Sequence, residues 1–439
     1  MKKLLALLLA LLLLCAALPA AAEEPVEYTS GDYKYILLPD DSAEITKYTG
    51  SENELFIPVE LDSHTVTSIG DEAFYFCFML TSVTIPDSVT SIGNSAFFWC
   101  TSLTSVTIPD SVTSIGVNPF FLCSELKIIR VSDKHPVLAI IDGVLFSKPD
   151  KRLVCYPCAF TANSYSIPNG IKCIGDHAFS SCDSLTSVTI PDSVTTIGND
   201  AFYYCTSLTS VTLPDSITSI GTNPFSCCSE LKAFRVSDKH PVLAIIDGVL
   251  FSKPDKRLIS YPCTMIANSY SVPDGTECIG DGAFEDCRSL TSITIPDSVT
   301  SIGDAAFTYC ESLISLNIPD GITDIGSNTF FGCRSLTSLS LPDSVTSIGA
   351  FAFCNCASLT SVKIPNSVTT IGDCAFQDCH SLTSVTIPDS VTTIGENVFK
   401  DCSKNLVLTV SSGSYAEQYA IEKGLDYIYP QGSNDWLLD

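Results

Sequence analysis

The sequence predicts a β-rich repeat solenoid, a right-handed coil whose successive turns stack through a parallel sheet and carry short helical turns. Apolar residues recur at fixed offsets, proline and glycine recur between them, and one cysteine position repeats every 23 residues in three runs. A unit of that length cannot bury its own apolar face, so stacking is expected to build one continuous core. The repeating cysteines are Cys77, Cys100 and Cys123; Cys182, Cys205 and Cys228; and Cys287, Cys310, Cys333, Cys356, Cys379 and Cys402.

The unit at residues 103–124, LTSVTIPDSVTSIGVNPFFLCS, predicts a strand, a second short strand and one helical turn. Val106 and Ile108 alternate as inward residues, and Pro109 begins a turn because its ring fixes φ. The second strand ends at Gly116, and Phe120 and Cys123 then lie three residues apart on one face of the helical turn. Stacking is expected to align twelve such phenylalanines, from Phe74 to Phe399, in one buried row.

The chain begins with MKKLLALLLALLLLCAALPAAAEEP, which has the charge, apolar run and small residues of a secretory signal peptide. Residues 1–22 are the predicted signal, with cleavage after Ala22. A membrane anchor needs about 20 apolar residues, and a lipoprotein signal requires small residues before its cysteine, whereas Leu13 and Leu14 precede Cys15. We therefore expect a secreted, extracellular or cell-surface protein with no membrane insertion after cleavage.

Caps are predicted at both ends of the solenoid, because an uncovered sheet end exposes unpaired strand groups. Residues 23–65 lack the repeat and predict an N-terminal β cap, and the solenoid is expected over residues 66–410. At residues 411–429, Ser414 and Glu417 form a capping box and Gly424 ends the helix, which predicts a helix-strand cap. Residues 430–439 are a tail.

Two interruptions of the repeat, near residues 132–166 and 237–271, are near copies at an offset of 105 residues. Each contains an Asp-Gly pair between apolar residues, at Asp142-Gly143 and at Asp247-Gly248, which is a strong signal for a two-residue hairpin. Each interruption is therefore predicted to be a β-hairpin insertion that elaborates one coil.

The pattern LxSVxIPDSVTSIGxxAFxxCxS resembles the repeat of the BspA-like leucine-rich repeat surface proteins. The resemblance covers about residues 31–429, and the runs GDYKYILLPDDSAEITKYTG and SGSYAEQYAIEKGLDYIY are similar to the usual ends of that family. It implies a leucine-rich repeat fold and adhesion to host proteins and to other cells.

Charge and motif content disfavour several classes of function. The chain has 23 basic and 49 acidic residues, a net charge of −26, so phosphate-rich nucleic acid and anionic membranes are not expected partners. None of the five histidines lies in a recognisable hydrolase, kinase or metalloprotease motif. No enzymatic activity, cofactor or catalytic residue is predicted.

The repeating cysteines are predicted to be reduced, buried thiols, because parallel side chains in register bond only with strain. A redox or zinc role for Cys155-x-x-Cys158 is disfavoured, since no helix follows and the copy has Ser260 in place of the first cysteine. Some of the remaining cysteines are candidates for pairing: Cys15, Cys155, Cys158, Cys173, Cys227, Cys263, Cys278, Cys354 and Cys374.

A row of turn aspartates offers an alternative role in calcium binding. The simpler interpretation is that each aspartate hydrogen-bonds its own turn, and no metal site is predicted. The row contains Asp87, Asp110, Asp192, Asp215, Asp297, Asp320, Asp343 and Asp389.

The outward residues of the predicted strands form a Ser/Thr-rich face interrupted by basic residues, and this face is the predicted binding site. The sequence favours a monomeric binding or adhesion protein whose arginines anchor an extracellular protein or cell-surface ligand. Alternatives are a secreted glycan-binding module, although these slots lack aromatic residues, and a structural cell-surface spacer. The candidate residues are Lys127, Arg130, Lys232, Arg235, Lys363, Thr107 and Thr212.

Overall fold

The computed structural model describes residues 25–265 and 267–430, and it shows a solenoid of stacked β-coils with parallel sheets along its length. The predicted fold class, a leucine-rich repeat solenoid, is confirmed. The helical turn predicted before Cys123 is wrong: residues 119–122 form a non-helical turn in which Leu122 has φ 59°. The predicted signal peptide and residues 431–439 of the predicted tail lie outside the described residues. No helix within the described ranges is long and apolar enough to cross a membrane.

The strands fall into three segments. The first contains β1 (Glu27–Ser30), β2 (Tyr33–Leu37), β3 (Ala43–Tyr48), β4 (Glu54–Phe56), β5 (Glu60–Leu61), β6 (His64–Ile69), β7 (Ser82–Thr84), β8 (Ser91–Ile92), β9 (Ser105–Thr107), β10 (Ser114–Ile115) and β11 (Ile128–Arg130). The second contains β12 (Leu138–Ile141), β13 (Val144–Ser147), β14 (Arg152–Cys155), β15 (Ser164–Ser166), β16 (Cys173–Ile174), β17 (Ser187–Thr189), β18 (Thr196–Ile197), β19 (Ser210–Thr212), β20 (Ser219–Ile220) and β21 (Ala233–Arg235).

The third segment is the longest. It contains β22 (Leu243–Ile246), β23 (Val249–Ser252), β24 (Arg257–Ser260), β25 (Ser269–Ser271), β26 (Cys278–Ile279), β27 (Ser292–Thr294), β28 (Ser301–Ile302), β29 (Ser315–Asn317), β30 (Asp324–Ile325), β31 (Ser338–Ser340), β32 (Ser347–Ile348), β33 (Ser361–Lys363), β34 (Thr370–Ile371), β35 (Ser384–Thr386), β36 (Thr393–Ile394), β37 (Val407–Thr409), α1 (Tyr415–Lys423) and β38 (Asp426–Ile428).

Each regular coil contributes a three-residue strand and a two-residue strand, and within each sheet both pair in parallel with the equivalent strands of the next coil. The sheets end between β28 and β30 and between β31 and β33, where no partition intervenes. Val83 of β7 lies beside Val106 of β9, which lies beside Ile129 of β11. These middle residues are buried, while the residues before and after them are wholly or partly exposed. The alternation follows from the two-residue period of a strand, and the constant repeat length places like residues beside like.

The phenylalanine row is interrupted twice, so the continuous row and single core expected from the repeat are wrong. Within each segment, neighbouring rings of the row lie 4.9–5.7 Å apart. The row begins again at Tyr156, which stacks on Phe179 at 5.2 Å, and at Tyr261, which stacks on Phe284 at 5.2 Å. The buried residues accordingly form three hydrophobic cores.

Each insertion contains the predicted hairpin and one further strand. In the first, β12, β13 and β14 pair antiparallel in chain order, and β14 then pairs in parallel with β16 of the following coils. In the second, β22, β23 and β24 repeat this arrangement, and β24 pairs with β26. We call β12–β14 the first partition and β22–β24 the second partition.

The partitions separate the cores because both of their faces are apolar. Leu145 packs with the core of the first segment, whereas the adjacent Phe146 packs with the core of the second. Leu250 and Phe251 divide in the same way between the second and third cores. Neighbouring strand residues point to opposite faces, so a strand with two buried faces forms a wall shared by two cores.

The N-terminal cap has the same design as the partitions. Strands β1, β2 and β3 pair antiparallel in order, and β3 pairs in parallel with β6. Tyr48, the last residue of β3, donates its backbone N–H to Ala73 O at 2.7 Å, and Tyr156, directly after β14, donates to Ala178 O at 2.8 Å. Each partition therefore acts as an internal cap that begins a new run of coils.

The repeating cysteines do more than fill space. Cys333 Sγ donates to Phe307 O at 3.2 Å, and eight other repeating thiols bond the phenylalanine carbonyl of the preceding coil in the same way. The prediction of reduced thiols is wrong for Cys287, which forms a disulfide with Cys263. Its partner follows the second partition, one coil earlier in the stack, and the two Cα atoms lie 4.5 Å apart.

The helix-strand cap has the predicted capping interactions. Ser414 accepts a hydrogen bond from Glu417 N at 3.2 Å, and Gly424 ends α1 in the left-handed conformation with φ 67°. Ala416 and Tyr419 are buried, and Tyr419 packs edge-on against Phe399 at 6.3 Å. Strand β38 then pairs with β37. The helix thus covers the last ring of the phenylalanine row.

Candidate binding surfaces

The predicted binding face consists of the outward residues of the three-residue strands. Because β9 and β11 pair in register, Thr107 lies beside Arg130, and Thr212 lies beside Arg235 in the same way. Lys363 of β33 lies beside Thr386. The seven candidate residues are all exposed: Lys127, Arg130, Lys232, Arg235, Lys363, Thr107 and Thr212.

The face is divided into panels rather than extended along the whole solenoid. Panel 1 is the sheet β4–β7–β9–β11, panel 2 is β15–β17–β19–β21, panel 3 is β25–β27–β29–β31, and panel 4 is β33–β35–β37–β38, which contains Lys363. Arg130 lies on the edge strand of panel 1, and Arg235 lies on the edge strand of panel 2. The two arginines therefore occupy equivalent positions in separate sheets. Each lies on the last strand of its panel, directly before a partition in the chain.

Buried histidines hold the chain just after these edge strands. His135 is fully buried; its Nε2 lies 3.1 Å from Pro109 O and its Nδ1 accepts Leu138 N–H at 3.0 Å. The imidazole is therefore neutral with its proton on Nε2, and burial lowers the pKa of His135. His240 makes the same bonds beside the second partition. These histidines position the binding face but do not contribute to it.

Turn aspartates bond neighbouring hydroxyls at the same edges. Asp110 accepts from Ser132 Oγ at 2.6 Å, and Asp215 accepts from Ser237 Oγ at 2.7 Å. Among residues 25–265 and 267–430, no group of three or more His, Cys, Asp or Glu side chains is arranged to hold a metal ion. Burial also raises the pKa of the Cys155 thiol, which favours the unreactive protonated form in the Cys-x-x-Cys sequence.

A cavity of about 850 Å³ opens on the face formed by the turns that carry the phenylalanine row, where the second partition interrupts the stack of these turns. We call it the second-partition cavity. Sequence reasoning did not identify it. Its lining includes Tyr203, Tyr204, Glu285, Asp286, Arg288, Tyr309, Glu311 and Arg334.

Ion pairs organise the rim of this cavity. Arg288 Nε lies 2.6 Å from Asp286 Oδ1, and Arg288 Nη1 lies 3.5 Å from Glu311 Oε1. Arg334 Nη1 approaches the same Glu311 oxygen at 3.9 Å. Deeper in the cavity, Ser226 Oγ donates to the Glu285 carboxyl. Burial raises the pKa of Glu285, although this hydrogen bond opposes the shift.

The equivalent position beside the first partition is filled by rings. Phe121 stacks on His177 at 4.1 Å and on Phe98 at 4.9 Å. The residues 105 positions later are Ser226 in place of Phe121 and Gly282 in place of His177. The smaller side chains leave the second position open, and the charged residues occupy its walls.

The comparisons with known proteins agree with the fold. The sequence model for the BspA type leucine-rich repeat region matches residues 28–148, 154–272 and 276–407. A leucine-rich cell surface protein from Faecalibacterium prausnitzii is 36% identical over 91% of this chain and 98% of its own, with a TM-score of 0.50. The pneumococcal vaccine antigen PcpA is 19% identical over 93% of this chain and 99% of its own, with a TM-score of 0.53. No curated protein sequence matches the chain.

Proposed function

Because the chain belongs to the BspA-type leucine-rich repeat family, we propose that it is a secreted or cell-surface protein that binds an extracellular protein through its strand panels. One observation carries the proposal most directly: the acidic chain places Arg130 and Arg235 at equivalent edges of two panels. The similar protein from Faecalibacterium prausnitzii is described as a cell surface protein, which supports the location.

Several features support these edges as contact sites. Arg130 and Lys127 are exposed together at the edge of panel 1, as Arg235 and Lys232 are at the edge of panel 2. Arginine is enriched in protein interfaces because its fork of donors pairs with carboxylates and carbonyls. Arg235 Nη1 already bonds Ser210 Oγ at 3.2 Å, which restrains the guanidinium along the panel. We infer that acidic groups on the partner engage the two edges while the hydroxyl rows hydrogen-bond between them.

The test is a charge reversal at both edges. The wild-type chain and an Arg130→Glu/Arg235→Glu variant are assayed by biolayer interferometry against purified extracellular matrix proteins at low and physiological salt. We expect one or more matrix proteins to bind the wild type, and the double variant to bind them at least about tenfold more weakly, equivalent to about 1.4 kcal/mol. Higher salt is expected to weaken wild-type binding more than binding by the variant.

A matched control separates local contacts from total charge. Lys400→Glu/Lys404→Glu changes the net charge by the same amount at exposed positions away from both panel edges, and we expect it to bind as the wild type does. Equal losses in the two double variants, or affinity within twofold of wild type for Arg130→Glu/Arg235→Glu, would exclude the arginine edges as the docking site.

A further inference from the structure

We propose that the second-partition cavity binds a neutral carbohydrate, in a site separate from the strand panels and independent of the protein-binding role proposed above. The cavity has a volume of about 850 Å³, within the range of about 300–1,000 Å³ that is common for small-molecule sites. It lies on the face of the turns that carry the phenylalanine row, whereas Arg130 and Arg235 lie on the three-residue strands.

The cavity exists because two ring-bearing residues of the first copy are replaced in the second. Phe121 and His177 stack at 4.1 Å beside the first partition, and the equivalent residues beside the second are Ser226 and Gly282. Without these two rings, a space remains between the coil before the second partition and the coil after it. Glu285, whose equivalent is Ser180, enters that space and is 8% exposed.

The walls carry hydrogen-bonding groups whose charges largely cancel. Arg288 lies between Asp286 and Glu311, and Arg334 also approaches Glu311. An anion in the cavity would meet the carboxylates, and a cation would meet the guanidinium groups. A neutral ligand with many hydroxyls has no such conflict, because each hydroxyl both donates and accepts and is satisfied by either kind of group.

The burial of Glu285 is consistent with this reasoning. Burial raises the pKa of this carboxyl, so the proton is retained to higher pH than in an exposed glutamate. The other charged groups of the lining are two carboxylates, Asp286 and Glu311, and two guanidinium groups, Arg288 and Arg334.

Aromatic rings provide the apolar surface that a sugar ring needs. Tyr204 is 47% exposed, and Tyr203 and Tyr309 line the cavity beside it. Tyrosine combines an apolar ring with a hydroxyl handle, which suits a ligand with an apolar ring face and polar edges. In the outward slots of panels 1–3 the single aromatic ring is Phe56 of β4, at the edge of panel 1 opposite Arg130. The cavity instead groups several rings with hydrogen-bonding side chains.

The test begins with the full chain on an array of neutral, sialylated and sulfated oligosaccharides, followed by calorimetry on each glycan that binds. We expect neutral glycans to bind. Tyr204→Ala is expected to weaken binding at least about tenfold, equivalent to about 1.4 kcal/mol. Tyr204→Trp, which restores a ring and matches Trp99 at the equivalent position of the first copy, should retain binding.

A second variant closes the cavity with residues that the chain already uses. Ser226→Phe/Gly282→His/Glu285→Ser introduces the side chains found at Phe121, His177 and Ser180. His177 has φ 55° and Gly282 has φ 54°, so the two positions share a backbone conformation. A Cβ at Gly282 would overlap Asn223 Oδ1, so the Asn223 side chain must move; its equivalent, Asn118, instead donates to His177 O at 2.8 Å. We expect the variant to fold, as judged by an unchanged circular dichroism spectrum, and to lose glycan binding.

The outcomes separate this proposal from the protein-binding role. Arg130→Glu/Arg235→Glu should leave glycan binding unchanged, and the cavity-closing variant should leave binding to matrix proteins unchanged. Selective binding of sialylated or sulfated glycans, no binding of any glycan by the wild type, or full binding by the folded cavity-closing variant would each overturn the carbohydrate site. Binding of a protein ligand that only the cavity-closing variant loses would assign the cavity to a protein partner instead.

Discussion

The two partitions differ most at the turns that carry the phenylalanine row, in the coils on either side of each partition. Beside the first, Phe121 and His177 close the gap between coils, and Cys158 and Cys182 remain unpaired thiols. Beside the second, serine and glycine leave a cavity, and the equivalent cysteines form the Cys263–Cys287 disulfide. Their strands and registers are otherwise the same.

The difference shows how a repeat protein acquires a localised site. Repetition places like residues in rows, which suits a core and a uniform surface. A binding site needs unlike residues near one point, and the end of a run of coils supplies such a point because the partition interrupts the stack. Between the two copies, a few side-chain differences, such as Phe121 against Ser226 and His177 against Gly282, separate a closed edge from an open one.

The disulfide gives the largest expected difference between the two copies. Cys263→Ala should destabilise the third segment by about 3 kcal/mol, because the bond closes a loop with a sequence separation of 24 residues. Cys158→Ala removes only a thiol that donates to Ser180 O at 3.0 Å, so the expected loss is about 1 kcal/mol. Urea unfolding measures both losses, and thiol counting by mass after alkylation checks the pairing.

Equal destabilisation by the two alanine variants would contradict this difference between the partitions. So would a wild-type chain in which Cys263 and Cys287 are alkylated as readily as Cys158 after unfolding without reductant.

Opening the first partition should have a smaller effect. Phe121→Ser removes ring contacts with His177 and Phe98 at 4.1 and 4.9 Å. The expected cost is about 1.5 kcal/mol, since aromatic pairs contribute about 0.5–1.5 kcal/mol each. Thermal unfolding checks the stability, and Leu122→Cys, which copies Cys227 at the adjacent position, is the matched control. A loss no larger than that of the control would show that the rings do not close the gap.

The smallest effect is a pH dependence confined to the first partition. Burial lowers the pKa of His177 below its usual 6.5, so the unfolded chain binds a proton at this residue more readily than the folded chain does. Its contribution to stability is present above pH 6.5 and falls as the pH drops below that value. Asp200 Oδ2 lies 4.0 Å from His177 Nδ1, and burial raises the pKa of Asp200 to about 7.

The measurement therefore uses Asp200→Asn as the background, so that this carboxyl does not titrate in the same range. Unfolding free energies of that variant, with His177 or with His177→Gly, are compared at pH 7.5 and pH 5.5. Acidification should destabilise the chain with His177 more than the chain with glycine. An equal loss of stability in the two chains would show that burial does not lower the pKa of the His177 imidazole.

Much of the fold follows from the sequence because its signal is local and repeated. The strands, the Asp142-Gly143 hairpin and the Ser414 capping box each depend on residues close in the chain. The division of the core was not predicted, because an apolar run such as VLFS at residues 144–147 does not reveal that its two faces pack against different segments. Tyr156 and Tyr261 could have indicated the division, because each begins a new run of the phenylalanine row although the surrounding sequence does not match the repeat.

Five of the predicted site residues lie on exposed strands, and Lys127 and Lys232 directly precede β11 and β21. Their distribution between sheets depends on where strand pairing is interrupted, at the partitions and again between β31 and β33. Nothing in the local pattern around Arg130 indicates that its strand ends a panel. The cavity was missed for a different reason: Tyr204, Glu285 and Arg334 are distant in the chain. Aligning the two copies offers a usable signal, because Ser180 becomes Glu285 and Ser229 becomes Arg334 in a background of near identity.

Hydrogen exchange on two adjacent variants tests most directly whether a partition is a wall between separate cores. Leu145 packs with the first core and Phe146 with the second. Leu145→Ala is expected to increase amide exchange mainly in the coils before the first partition, and Phe146→Ala mainly in the coils after it. Equal increases on both sides for both variants would show one continuous core and contradict the account.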